Sequence, residues 1–352
     1  VGGLAIEWSD MDVGFTALDR AGTTIPPEVI AAAKAADGVI LGPVSHNAYP
    51  PLSQGGLNPS AELRRELELF ANIRPALSVD ALPNPISKPT DLVIYRENLE
   101  GFYADRNMAS GGSEFMAVEG VALAMRKITS HGSERIARAA FEGAMKRPRK
   151  HVTAVHKANV LRLSDGLFLD EVRKVAAHYP QVTYDEVLVD SAAALLVREP
   201  DRFDVIVTTN MFGDILSDLA SELSGGLGLA GSLNLGVDHA VAQAQHGSAP
   251  DIAGEDRANP ASLMRSAAML LLHLGAQEAS ALLTATLTRA LSSVDTRTAD
   301  FGGPLGTQAF ADTLVALIEK EMQGHRHLFP LSLCGAVRLE GRISIVPTFR
   351  KI

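Results

Sequence analysis

The sequence predicts an α/β fold, and three observations carry the prediction. Apolar runs of strand length alternate with stretches whose apolar residues recur at helical spacing. Polar residues suited to chemistry follow those apolar runs at their C-terminal ends, where open α/β sheets bind ligands. The composition, 46% hydrophobic and 21% charged over 352 residues, is that of a soluble globular chain long enough for two domains with cores of their own.

In chain order, "PPEVIAAAKAA" is predicted helical, with Pro26 and Pro27 in its first turn. "DGVILG" (37–42) reads as a strand and "SAELRRELELFA" as a helix. The proline-rich "DALPNPISKPT" (80–90) is a connection. Strands are predicted at "DLVIYREN" (91–98), "HVTAVHKAN" (151–159), "VTYDEVLVD" (182–190) and "DVIVTTN" (204–210). "DGLFLDEVRKVAAHY" and "FGDILSDLASEL" are predicted helices. "NPASLMRSAAMLLLHLG" has Asn259 as N-cap, Pro260 at the first position and Gly275 as its stop. Residues 226–231, "GLGLAG", match G-x-G-x-x-G. They follow a helix rather than a strand, so they read as a glycine-rich connection, not a dinucleotide loop. The sequence has no internal repeat.

A net charge of -9 argues against nucleic acid or an anionic membrane as partner. The single cysteine, Cys334, allows no internal disulfide and suits a reducing, cytoplasmic setting. The longest apolar run, "AAMLLLHLGA" at 267–276, is too short to span a bilayer, and no signal-peptide pattern opens the chain.

The chemistry begins at "NMFGDILSDLASEL" (210–223). Ile215, Leu216, Leu219, Ala220 and Leu223 make an apolar helix face. Asp214, Asp218 and Glu222 fall opposite, either as ordinary solvated acids or as hard oxygen ligands for Mg²⁺ or Mn²⁺. Asp190, on another segment, is placed to close such a site. Arg64, Arg74 and Arg96 offer forked donors for carboxylates. Arg64 also reads as a helix-surface charge, and Arg74 as a cation just past a helix end. Lys157 is a candidate base and Tyr103 a candidate acid. A metal, a base and several carboxylate clamps point to an enzyme acting on a small acidic molecule. Phosphoryl transfer on the same aspartates requires phosphate-cradling loops, and the one glycine-rich candidate lies in the wrong context.

The stretches "ELRRELELFANIRP" (62–75), "RENLEGFY" (96–103), "HKANV" (156–160), "NMFGDILSDLAS" (210–221) and "HGSAPDIAG" (246–254) together resemble the isocitrate/isopropylmalate dehydrogenase family of β-decarboxylating dehydrogenases. The resemblance runs from about residue 4 to about residue 323. It implies two α/β domains around a cleft, distinct from the Rossmann fold. Domain 1 would comprise 1–69 and 225–325 and bind cofactor. Domain 2, 70–224, would carry the dimer interface and the metal site, and 326–352 is left as an unassigned tail. By the same resemblance Asp214 and Asp218 are metal ligands, with Asp190 supplied by the partner subunit of a homodimer with shared active sites. Lys157, also from the partner, is the base that takes the substrate hydroxyl proton. Arg64, Arg74 and Arg96 clamp the malate-like core, and Tyr103 protonates the enol after CO₂ leaves.

The resemblance also bears on cofactor and substrate. His246, Gly247, Ser248, Asp251, Asn259 and Asn159 match cofactor contacts. A carboxylate at Asp251 suits the ribose hydroxyls of NAD and repels a 2′-phosphate, while Arg257 nearby points the other way. Where isopropylmalate members carry two leucines, this chain has Ser60 and Ala61. Asn58 and Ser60 are a polar pair, in swapped order relative to isocitrate members, and serve equally as a helix cap. A polar or small substituent is therefore expected, as in isocitrate, homoisocitrate, tartrate or malate. The alternatives are 3-isopropylmalate dehydrogenation, as in leucine biosynthesis, and an inactive or regulatory subunit. Two departures stand out. The family's opening strand and G-D-G-I-G-P-E loop have no match, which predicts unpaired backbone inside the sheet. Gln243 and Gln245 replace residues of the family's "FEPVHGSAP", which predicts weaker nicotinamide-side contacts.

Overall fold

A computed structural model describes residues 4, 6–86, 88–103, 113–326 and 341–346; Cys334 lies outside them. The strands are β1 (Ile6–Asp10), β2 (Gly38–Leu41), β3 (Ala71–Leu77), β4 (Asp91–Glu97), β5 (Glu114–Val118), β6 (Val121–Ala124), β7 (His151–His156), β8 (Thr183–Leu188), β9 (Val205–Thr208), β10 (Gly231–Leu235), β11 (Ala240–Ala244) and β12 (Gly341–Val346). The helices are α1 (Phe15–Ala21), α2 (Pro27–Ala35), α3 (Pro59–Glu66), α4 (Ser130–Met145), α5 (Ser164–Ala176), α6 (Val189–Arg198), α7 (Asn210–Leu223), α8 (Ala261–His273), α9 (Gln277–Ser292) and α10 (Thr307–Arg326).

Among the described residues, ten strands form one mixed sheet in the order β1-β12-β2-β11-β10-β3-β4-β9-β7-β8, and β5 and β6 form a separate hairpin. The block β1, β12, β2, β11 is parallel, as is the block β4, β9, β7, β8. Antiparallel β10 and β3 join the two.

Alternation along β4 decides what meets each face. Leu92 and Ile94 pack with Leu196 of α6 and Leu216 of α7. Tyr95 points the other way, into a core with Ile136 and Phe141 of α4 and Phe168 of α5. Burying each such phenylalanine stabilises the fold by about 1.5–3 kcal/mol. Arg96 stands two residues after Ile94 and so faces α7. Asn72 is paired in register with both Arg96 and Asn234, which puts Asn72, Asn234 and Arg74 on that same face. In the other block, Val39 and Leu41 pack with Val29 of α2 and Leu63 of α3. Leu233 and Ala242 pack with Leu270 of α8.

Several expectations are corrected. "SAELRRELELFA" does not stay helical: α3 ends at Glu66, Glu68 takes a left-handed φ of 48°, and Ala71 opens β3. Leu67 and Leu69 are drawn into the core around Val29 and Val241, and pairing of "ANIRPAL" with β4 and β10 overrides helix propensity. Arg74 therefore lies within a strand, not past a helix end. Asp190 is the second residue of α6 rather than the end of a strand. Asn259 acts one residue early: its Oδ1 accepts from Ala261 N at 2.9 Å while Pro260 holds the N-cap position. Ile215, expected in the core, is 59% exposed.

The tail is not idle. β12 lies parallel between β1 and β2, pairing Ile343 with both Trp8 and Gly38. The backbone groups that the sequence reading left unpaired beside β1 and β2 thus find partners from the far end of the chain.

Candidate active site

The site is assembled where α7 crosses β3 and β4. Gly213 allows the close approach, since a Cβ there would stand 2.6 Å from Arg96 Cγ and 2.7 Å from its Cβ. Helical spacing then brings Asp214, Ser217 and Asp218 over the two strands. Arg74 Nη1 donates to Asp214 Oδ1 at 3.2 Å, Ser217 Oγ at 2.7 Å and Asp218 Oδ1 at 3.4 Å. Arg96 Nη1 also donates to Asp214 Oδ1, and its Nε and Nη2 both donate to Asn210 Oδ1, at 3.1 and 2.8 Å. Tyr103 OH donates to Asp214 Oδ2 at 3.3 Å. The Tyr103 ring centroid lies 5.8 Å from the Arg96 guanidinium carbon, within cation–π range.

Both guanidinium groups are buried, 6% and 2% exposed, and an amide ladder holds one of them. Arg74 Nε donates to Asn72 Oδ1 at 2.9 Å, Asn72 Nδ2 to Asn234 Oδ1 at 2.8 Å, and Asn98 Nδ2 to the same Oδ1 at 3.1 Å. Burial first, and Arg96 second, push the Arg74 pKa down to about 10, against the pull of Asp214 and Asp218. Burial alone would raise Asp214, but Arg96, Arg74 and Arg64 together hold its carboxyl below the usual range. Asp214 and Asp218 are therefore not two isolated solvated acids. They are stacked over two buried cations, with Asp214 kept ionised.

A second group sits apart. Lys157, on the turn after β7, donates from Nζ to Asp190 Oδ1 at 2.5 Å, and that bond lowers the Asp190 pKa. Asn159 lies exposed on the same turn. The Lys157 backbone N donates to the buried Asp165 at 2.5 Å. Arg126 pairs with Asp165 and reaches Thr209 Oγ1, just before α7, at 2.9 Å. Among the described residues neither Lys157 nor Asp190 bonds to the first group, and no three His, Cys, Asp or Glu cluster as a metal site.

The segment after β11 carries the remaining candidates. His246 Nδ1 lies 2.9 Å from Gly247 O, Ser248 Oγ lies 2.5 Å from Ser45 Oγ, and Asp251 is exposed in a short turn, Pro250–Ile252. Asn259 Nδ2 donates to Asp300 at 2.9 Å, and Arg257 pairs with Glu255 at 2.9 Å. Asn58 caps α3, its Oδ1 accepting from Ser60 N and Ala61 N at 3.1 and 3.3 Å. The Ser60 hydroxyl points inward and donates to Gln243 Oε1 at 2.9 Å.

The isocitrate/isopropylmalate dehydrogenase profile matches residues 2–314. An isocitrate/homoisocitrate dehydrogenase of Thermus thermophilus is 43% identical over 319 residues, 90% of this chain and 91% of that protein. A 3-isopropylmalate dehydrogenase of Archaeoglobus fulgidus is 41% identical over 316 residues, again 90% and 91% of the two chains. The crystal structure of an isocitrate dehydrogenase from Methylococcus capsulatus superposes with a TM-score of 0.81 at 38% identity, covering 90% of this chain and 92% of that one. The chain belongs to the isocitrate/isopropylmalate dehydrogenase family.

Within this family's fold, then, the first group gathers Arg74, Arg96, Tyr103, Asp214 and Asp218, with the Arg64 charge felt at Asp214. Lys157 with Asp190, and the His246–Asp251 segment, are separate clusters. Sequence reasoning missed Gly213, Asn72, Asn234, Ser217 and Arg126. The glycine in "FGDIL" and the asparagine in "ANIRP" were in plain view, but only strand register shows that Asn72 and Asn234 meet. No helix among the described residues is long and apolar enough to cross a membrane.

Proposed function

We propose that this chain catalyses the NAD⁺-dependent, Mg²⁺- or Mn²⁺-dependent oxidative decarboxylation of a malate-type 2-hydroxy acid. One observation carries the reading: two buried guanidinium groups converge under a pair of carboxylates, beside a phenol. Arg74 and Arg96 give forked donors for the substrate carboxylates. Asp214 and Asp218 offer hard oxygens at one-turn spacing, and Asp218 Oδ2, which accepts from no described residue, suits a divalent cation. The donor chemistry fits the cation, with Asp190 of a second copy as the third ligand. When bound, the cation polarises the hydroxyl oxygen and NAD⁺ accepts the hydride.

The chain's own residues handle the protons. Lys157 of the second copy takes the hydroxyl proton as hydride leaves the carbinol carbon. Loss of the β-carboxylate as CO₂ leaves its bonding electrons on the adjacent carbon, and Tyr103 returns a proton there. Asp251 favours NAD over NADP, and Arg257 is already paired with Glu255. Ser60 and Gln243 give the substituent pocket a polar wall, which favours isocitrate, homoisocitrate, tartrate or malate.

Exposed apolar side chains support the shared-site dimer. The β5–β6 hairpin shows Phe115, Met116, Val118, Val121 and Leu123, and beside Lys157 stand Val160 and Leu163, 68% and 90% exposed. A bare hairpin of this kind needs a covering partner.

The test is NADH formation with Mg²⁺ or Mn²⁺ across isopropylmalate, isocitrate, homoisocitrate, tartrate and malate. Turnover on one polar acid, lost in Asp214→Asn, is expected. Turnover on isopropylmalate alone overturns the polar-pocket reading. Silence on all five from a folded dimer overturns the enzymatic reading in favour of a regulatory subunit.

A further inference from the structure

We propose that Gln245 is a positioning residue for the cation site, fixing Asp218 so that one oxygen faces the ion; the inference rests on the reading above. Gln245 follows β11 directly, and its backbone N donates to Ala230 O at 3.2 Å, which anchors the side chain's origin. Nε2 then donates to Asp218 Oδ1 at 2.8 Å and to Ser221 Oγ, one helical turn on, at 3.2 Å. Arg74 reaches the same Oδ1 at 3.4 Å. A donor from β3 and a donor from the residue just after β11 thus converge on Oδ1, and Oδ2 accepts from no described residue.

Asp218 needs this. Its side chain is 54% exposed, so an untethered carboxylate would sample several rotamers and lose that freedom on binding a cation. A carboxamide suits the task because it donates a hydrogen bond without adding charge. A carboxylate here would repel Asp218 in the metal-free protein, and an apolar side chain would leave it free to turn. Gln245 Oε1 is buried and accepts from no described residue, so the bonds from Nε2 set the amide's orientation.

The experiment is Mn²⁺ binding to the full chain without substrate or nucleotide, read from the paramagnetic resonance of free Mn²⁺. Gln245→Leu is expected to weaken binding roughly tenfold, as loss of an outer hydrogen bond to a metal ligand does, with the metal-free melting midpoint nearly unchanged. Gln245→Glu is expected to bind Mn²⁺ more tightly than the parent and to melt earlier without metal. Parental affinity in Gln245→Leu, with binding lost in Asp218→Asn, overturns this proposal and leaves the cation site standing. A lower midpoint at unchanged affinity marks a purely structural glutamine and overturns it too. A parent chain that binds no Mn²⁺ overturns both readings.

Discussion

Arg74 and Arg96 are buried side by side, and the carboxylates of α7 offset the charge that burial leaves there. Removing one partner of such a pair leaves an uncompensated buried charge, so substitutions at Asp214 act on stability as well as on chemistry. A third buried charge borders the site. Glu97 follows Arg96, and burial raises its pKa to about 7; bonds from the Leu99 and Glu100 backbone N–H groups oppose the rise, the Glu100 charge adds to it and Arg135 opposes it. Its folded pKa lies above the unfolded one, so the neutral form stabilises the fold. That contribution is complete below the ordinary carboxylate range near pH 4.5 and is lost as pH rises through about 7. A shift of this size corresponds to on the order of 3 kcal/mol. Urea midpoints between pH 4.5 and 8 are expected to fall in the parent and to stay level in Glu97→Gln at this position's share. Parallel curves for the two proteins would show that Glu97 titrates normally.

Helix α7 is the element on which the site depends, and its contact with β4 is set by one missing side chain. Gly213→Ala would drive a methyl into Arg96 Cβ and Cγ. It is expected to cost about 1–3 kcal/mol through overpacking and to lower kcat/KM, because Arg96 must move. Full activity in Gly213→Ala would show that α7 can ride outward freely. Long periodic elements were legible: "FGDILSDLASEL" is helical throughout and "DGLFLDEVRKVAAHY" is helical as far as Ala176, because their apolar spacing and their packing agree. "ELELFANIRP" misled because Leu67 and Leu69 keep the helical spacing of α3 while the chain has already turned at Glu68. Ile215 misled in the opposite way, since spacing cannot tell a core face from one left bare. The tail strand was invisible to periodicity, being short and paired only with distant strands. Ile343→Pro removes a backbone donor inside a sheet, where proline is otherwise confined to edges. It is expected to destabilise by a few kcal/mol, about the cost of a lost ladder bond plus local distortion. A melting midpoint equal to the parent's would mean that β12 contributes little to the sheet.

At the scale of the whole molecule, the separation of the two clusters is the fact to explain. Arg74, Arg96, Tyr103, Asp214 and Asp218 meet on one face of the sheet, while the side chains of Lys157 and Asp190 pair with each other and, among the described residues, bond to none of that group. On the proposed reading, a lysine paired with a carboxylate, on a turn flanked by exposed Val160 and Leu163, would serve another copy rather than its own chain. In a two-fold dimer each patch meets its counterpart reciprocally, so both sites would be completed at once. That arrangement makes a quantitative claim. Lys157→Met and Asp214→Asn are each expected to abolish turnover as pure proteins. Mixed in equal amounts and allowed to exchange subunits, they are expected to recover roughly a quarter of parental activity. Half of randomly paired dimers are mixed, and each mixed dimer carries one intact site and one doubly damaged one. A mixture as inactive as its components, with exchange shown by mass spectrometry of intact dimers, would place Lys157 and Asp214 of a single chain in the same site. The separation of the two clusters within one chain would then have to close by a rearrangement of that chain, with the β5–β6 hairpin serving some other contact.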